Sequence, residues 1–255
     1  MPANTLVEVD NLKKRFNVRH EKWTSLKRSL LRLFRPYPHE AFWALKGVSV
    51  TIKAGELIGV VGVNGSGKST LLRIIGGIYV PTEGSVNIHA PVSSLFELET
   101  GFNPQLTGYE NVFLSGSLMG YSGREIEQAM PEVEAMSELE EFLEIPVKLY
   151  SSGMRFRLGF GIAMSFEPQI LLVDEVLAAA DEAFQRTAYR KLASYQQKGA
   201  AVVLVSHELD KVREHCERVI WLENGRIRRD GKTDDVLDAY LKEINEENTG
   251  GQDGD

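Results

Sequence analysis

The chain has 255 residues, with 43% hydrophobic residues, 25% charged residues and a formal net charge of −7. That composition is ordinary for one large folded domain and excludes low-complexity and collagen-like readings, while the acidic balance argues against nucleic acid as the main partner. No run approaches the roughly 20 apolar residues of a membrane span. The opening MPANTLVEVD lacks a secretory pattern, and the lone Cys216 rules out a disulfide framework, so a reducing cytosolic setting is expected.

In chain order, Leu6, Val7 and Val9 predict a short first strand. Residues 13–35 then carry nine Lys and Arg against a single acid, Glu21. Drawn as a helix, this stretch places Trp23, Leu26, Leu30, Leu33 and Phe34 on one face and Arg28, Arg32 and Arg35 opposite. Two readings stay open: a surface helix packed on its own domain, or a helix at a membrane surface among anionic headgroups. A second strand is expected over residues 48–52 and an apolar third over residues 57–62. Residues 62–69 (GVNGSGKS) follow, ahead of the helical pattern TLLRIIGGI. Alternating apolar residues return in SVNIHA and SSLFEL. Residues 111–167 then lack strand signals and read as an inserted helical subdomain, broken at Pro131 and Pro146. Strands at 169–174, 201–206 and VIWLENG alternate with helices at 183–197 and 208–216. Continuous apolar strands alternating with helices predict a parallel sheet covered on both faces. The end, residues 241–255, is acidic and glycine-rich and is expected to be a disordered tail.

The sharpest motif is GxxxxGK[ST] at residues 62–69, between a strand and a helix. Its glycines let backbone N–H groups turn around phosphates, with the helix N-terminus adding its positive end. Asn64, Gly65, Ser66, Gly67, Lys68, Ser69 and Thr70 are the expected contacts, Lys68 bridging phosphates and Ser69 ligating Mg²⁺. The strand ending in Asp174 and Glu175 supplies a second carboxylate for the metal and a general base for the attacking water. Ser151, Ser152 and Gly153 open a helix whose free N–H groups suit a phosphate, and His207 stands at a strand end where it could meet a γ-phosphate.

The order and spacing of these motifs resemble the ATP-binding-cassette (ABC) ATPases from about residue 6 to residue 240. The resemblance implies an α/β P-loop NTPase fold with a mostly parallel core sheet, an antiparallel β part and the helical subdomain. It also implies ATP and Mg²⁺, and a homodimer in which Ser151 and Gly153 act on the partner's nucleotide while Asp181 lies at the seam. Glu97 stands where the family usually has a metal-coupled glutamine, and SSGM replaces a leucine-led SGGQ. Phe16 falls near the family's adenine-stacking position, with Phe42 and Trp43 as rivals across the insertion of residues 17–41.

Within that family, FWALKGVS, LFELETGFNPQLTGYENVFL, PVKLYSSGMRFRLGF and LLVDEVLAAAD are similar to exporters of O-antigen, capsule and teichoic acid. That likeness implies a peripheral subunit on the cytoplasmic membrane face, separate integral membrane permease subunits, and a lipid-linked polysaccharide near the N-terminal insertion. Some members carry a carbohydrate-binding domain after the ATPase; this sequence leaves its presence open. An importer motor and a non-transport ATP switch are the alternatives. The second usually has two cassettes or a long coiled coil in one chain.

Overall fold

A computed structural model describes residues 4–18, 40–97 and 101–250. The predicted helix between Trp23 and Phe34 lies outside them, as do residues 251–255.

An antiparallel sheet comes first. Strands β1 (Thr5–Val18) and β2 (Glu40–Lys53) pair along their lengths, and β4 (Glu83–Ile88) joins the other edge of β1. Both long strands outrun their sequence-based bounds, so residues 17–18 and 40–41 belong to the sheet and not to the insertion. Polar residues such as Lys13–Lys14 had masked the pattern. Both are partly buried, while Val7, Val9, Leu12, Leu45, Val48 and Val50 are buried in the core.

The second sheet has six strands in the order β5 (Val92–Ser94), β6 (Ile170–Val173), β7 (Ala201–Val205), β3 (Leu57–Val61), β8 (Arg218–Glu223) and β9 (Arg226–Lys232). The first five run parallel, and β6, β7 and β3 are buried throughout, as their unbroken apolar sequences require. β9, which the sequence reading did not separate, returns antiparallel across a two-residue turn. Asn224 and Gly225 hold φ of 48° and 79° there, the doubly left-handed geometry of an Asn-Gly hairpin. Helix α1 (Lys68–Ile75) follows β3.

Helices α2 (Gly108–Leu118), α3 (Gly123–Ser137) and α4 (Ser152–Ser165) form the inserted subdomain between β5 and β6. Reciprocal capping boxes, Thr107 with Glu110 and Ser122 with Glu125, start α2 and α3. Val112, Ile126, Val133, Leu158 and Ile162 make a core of their own. Pro131 does not break the chain as expected. It sits inside α3 on the exposed side, while Ile126, Met130 and Val133 anchor the opposite side in the core.

Helices α5 (Glu182–Gln197) and α6 (Leu209–His215) cover the six-stranded sheet, and α7 (Thr233–Gly250) closes the chain. The expected disordered tail is corrected at its start. α7 runs on to Gly250 because Ile244 continues the buried stripe of Val236, Leu237 and Tyr240, and Arg228 holds Glu243 at 2.7 Å.

Candidate functional site

β3 delivers the chain into the glycine-rich loop from the middle of the buried sheet. Gly62 has φ 149°, and a Cβ there would lie 2.1 Å from the Leu222 carbonyl oxygen. Gly67 has φ 110°, and its Cβ would lie 2.7 Å from the Ala44 carbonyl oxygen. The loop is therefore clamped between β8 and β2 at positions only glycine fits. Gly67 is also the N-cap of α1, so the helix's unpaired N–H groups open onto the loop.

Lys68 is 5% exposed and donates to the carbonyls of Gly62 at 2.8 Å and Val63 at 3.2 Å. Burial lowers its pKa, and the carboxylates of Glu175 and Asp174 work the other way. Beneath the loop, the Ser66 hydroxyl is buried without a hydrogen-bond partner. At the end of β6, Asp174 Oδ1 accepts from the Glu175 N–H at 2.9 Å and caps the 3₁₀ turn Glu175–Ala179. Glu175 Oε1 lies 2.7 Å from His207 Nε2, which follows β7.

Lys68 and Glu175 border a cleft of about 320 Å³ that is also lined by Phe16, Phe42, Ala44, Asn64, Gly65, Gly67, Ser69 and Thr70, whereas Ser66, Asp174 and His207 do not line it. Phe16 and Phe42 face each other across the β1–β2 ladder. Phe16 packs edge-on against Tyr79 at 5.4 Å, with the Lys14 ammonium 5.2 Å above its ring. Phe42 is 54% exposed. Trp43 does not line the cleft; the Arg15 guanidinium lies 5.6 Å from its ring. Two of the three aromatic candidates are thus brought together. The register that joins them across the insertion could not be read from either strand alone.

The donor set fits Mg²⁺ chemically. Ser69 and Asp174 provide one hydroxyl and one carboxylate, hard oxygen ligands of the kind Mg²⁺ combines with substrate phosphates and water. Glu97 ends the 3₁₀ turn Leu95–Glu97, and its side chain lies outside the described residues.

The serine-rich helix start lies elsewhere. Ser152 and Gly153 line a second recess of about 380 Å³ with Phe156, Arg157, Val176, Ala180 and Asp181. Ser151 does not line it. Its hydroxyl caps α4 by accepting from Met154 N–H at 3.1 Å. Asp181 caps α5 by accepting from Phe184 N–H at 3.0 Å and pairs with Arg157 at 2.6 Å. Both contacts, the backbone one first, lower its pKa. The sequence reading passed over Arg157, since nothing in RFR separates it from a solvent-facing residue. The two recesses share no lining residue.

Comparisons with known proteins fit this geometry. The model of the ABC transporter family matches residues 45–178. The chain is 39% identical over 248 residues to the O-antigen export system ATP-binding protein RfbB of Myxococcus xanthus, covering 96% of this chain but only 56% of that protein. It is 38% identical over 243 residues to the teichoic acids export ATP-binding protein TagH of Staphylococcus saprophyticus, covering 95% and 90% of the two chains. Among solved structures, the dimeric ATP-binding cassette MJ0796, in a post-hydrolysis state bound to ADP and Pi, superposes with a TM-score of 0.73. It has 28% identity and covers 89% of this chain and 99% of that one.

Proposed function

The chain belongs to the ABC transporter family, and from that premise we propose that it is the ATP-hydrolysing subunit of an exporter of lipid-linked cell-surface polysaccharide. The observation that carries the hydrolytic part is that Lys68 and Glu175 line one cleft that begins at two phenylalanines, with His207 held against Glu175. In this reading the base of ATP lies on the aromatics and the triphosphate lies along residues 64–70. Lys68, already desolvated, leaves its two carbonyl acceptors for phosphate oxygens. Glu175 takes a proton from the water that attacks the γ-phosphorus, while the bond to the β-phosphate oxygen breaks and ADP departs. His207 orients Glu175 in this state and stands within reach of the released phosphate. Mg²⁺, held by Ser69 and Asp174, would supply charge neutralisation on the phosphates.

The substrate class rests on relatives named for O-antigen and teichoic acid export. Among the described residues no helix is long and apolar enough to cross a membrane; in this reading a separate integral membrane subunit carries the transport path. Support for such a partner comes from Leu118 and Met119, 71% and 54% exposed at an apolar groove between α2 and β5. In the same reading the chain works as a homodimer on the cytoplasmic membrane face, and the basic insertion lies near anionic headgroups or the glycan's pyrophosphate.

The test is purification of the chain from its own membranes with whatever integral protein accompanies it, followed by reconstitution. ATP-dependent movement of a lipid-linked glycan is the expected result. A soluble partner with no membrane protein would overturn the export reading and leave the ATPase reading intact. Reversing Arg28, Arg32 and Arg35 to Glu should lower surface glycan while soluble phosphate release survives; unchanged export would return the insertion to ordinary surface.

A further inference from the structure

Arg157 lies in the second turn of α4, and its half-buried guanidinium joins three elements. One Nη donates to Asp181 Oδ2 at 2.6 Å, the other pairs with Glu138 at the C-terminal end of α3, and the plane lies 4.8 Å over the ring of Phe184. Asp181 is thereby used twice. Oδ1 caps α5 through Phe184 N–H, and Oδ2 takes the guanidinium. It stands one residue past Ala180, the C-cap of the turn that Asp174 and Glu175 open, so a contact at Asp181 restrains the far end of the segment bearing Glu175.

An isolated exposed ion pair contributes little. A planar fork that engages two carboxylates and an aromatic face restrains direction as well as distance, which a lysine cannot do. The other end of the turn is set by β6, which is buried in the sheet. With both ends held, the backbone segment bearing Glu175 is restrained between β6 and α5.

We propose that Arg157 is a positioning residue that holds the turn of residues 174–181, and with it Glu175, in a fixed relation to helix α4. The inference rests on the reading of Glu175 as the base. Its consequence is a split in kinetics. Lys68 and the glycine loop sit on other elements, so ATP binding is untouched. Loosening the turn misplaces the carboxylate, and displacements on the order of 1 Å cost up to about a hundredfold in rate.

The experiment measures phosphate release against ATP concentration for Arg157→Gln, Arg157→Lys, Asp181→Asn, Glu138→Gln and the Arg157→Gln/Asp181→Asn double variant. Thermal melts and Glu175→Gln run alongside. Asp181→Asn keeps an oxygen for the α5 cap and removes the charge that Arg157 reads. We expect kcat to fall about tenfold in Arg157→Gln and Asp181→Asn with KM within about twofold of wild type, and the double variant to be no worse than Arg157→Gln alone. Arg157→Lys should recover part of kcat. Glu138→Gln should lose least, because that arm reaches α3 and not the turn. Wild-type kcat in both Arg157→Gln and Asp181→Asn, a rise in KM without loss of kcat, or losses that multiply independently would each overturn the proposal. Glu175→Gln reports separately: full turnover there removes Glu175 as the base whatever Arg157 does. If Arg157→Gln does not fold, Arg157→Lys and Asp181→Asn decide the question.

Discussion

The glycine-loop cleft and the serine-rich recess both open on a helix N-terminus, yet they are built by opposite means. The cleft is set by backbone: three left-handed glycines, two of them clamped against carbonyls of neighbouring strands, and a lysine buried on its own loop. The recess is set by side chains: caps at Ser151 and Asp181, and a guanidinium strung between carboxylates. A backbone-built site persists whatever its surroundings do. A site held by side-chain pairs depends on every partner of the pair staying in place.

The largest effect should come from the acid at the cleft. Glu175→Gln keeps shape and the reach to His207 but loses the basic oxygen. Hydrolysis should fall by about 10²–10⁴ while ATP still binds. The measurement is phosphate release beside equilibrium nucleotide binding, and near-normal turnover would remove Glu175 from that role. His207→Ala should bind ATP and turn over slowly by the same assay; full activity would demote His207 to a structural residue.

Lys68→Ala should act one step earlier. It removes a cation from the phosphates and leaves the Gly62 and Val63 carbonyls without their donor. Charge-assisted hydrogen bonds contribute about 1.5–3 kcal/mol, so ATP affinity should drop roughly 10- to 100-fold. Binding equal to wild type, followed by titration of a fluorescent ATP analogue, would contradict the phosphate-loop reading.

How much of this was legible in the sequence follows the same division. The loop, the carboxylate pair and His207 sit at the ends of apolar strands. Such strands announce themselves through composition, and the site residues lie next to them in sequence. The Arg157–Asp181–Glu138 network joins residues 19 to 24 positions apart on three helical elements, with no periodicity to mark it. The hairpin turn at Asn224-Gly225 was legible and overlooked. Pro131 and the helical run beyond residue 240 were misjudged because local propensity was outweighed by burial of one helix face.

A mixing experiment sharpens the comparison directly. If the recess serves a partner's nucleotide, chains carrying Ser151→Arg and chains carrying Lys68→Ala should complement in heterodimers, one composite site being whole and the other carrying both lesions. Activity above either mutant homodimer is the expected outcome. No gain in any ratio, with heterodimers present by native mass spectrometry, would tie both sites into one obligate unit or return the recess to a purely intrachain role.

The smallest effect concerns the aromatic end of the cleft. Strand alternation puts Phe42 and Ala44 on the cleft side of β2 and Trp43 on the other. Phe42 is more than half exposed among the described residues, so Phe42→Ala should raise the KM for ATP without shifting the melting temperature. Ring-on-ring contacts contribute about 0.5–1.5 kcal/mol, which corresponds to a change of roughly two- to tenfold. Phe16 also holds Tyr79 and the Lys14 ammonium, so Phe16→Ala should raise KM and lower the melting temperature together. Trp43→Ala should leave KM alone. The informative pattern is the pair of readouts taken jointly. A KM effect confined to Phe16 would place the base on β1 alone, as the family resemblance implies. A KM effect confined to Phe42 would make Phe16 a buttress. Any KM effect from Trp43 would mean that the strand twists between residues 42 and 44 when nucleotide binds.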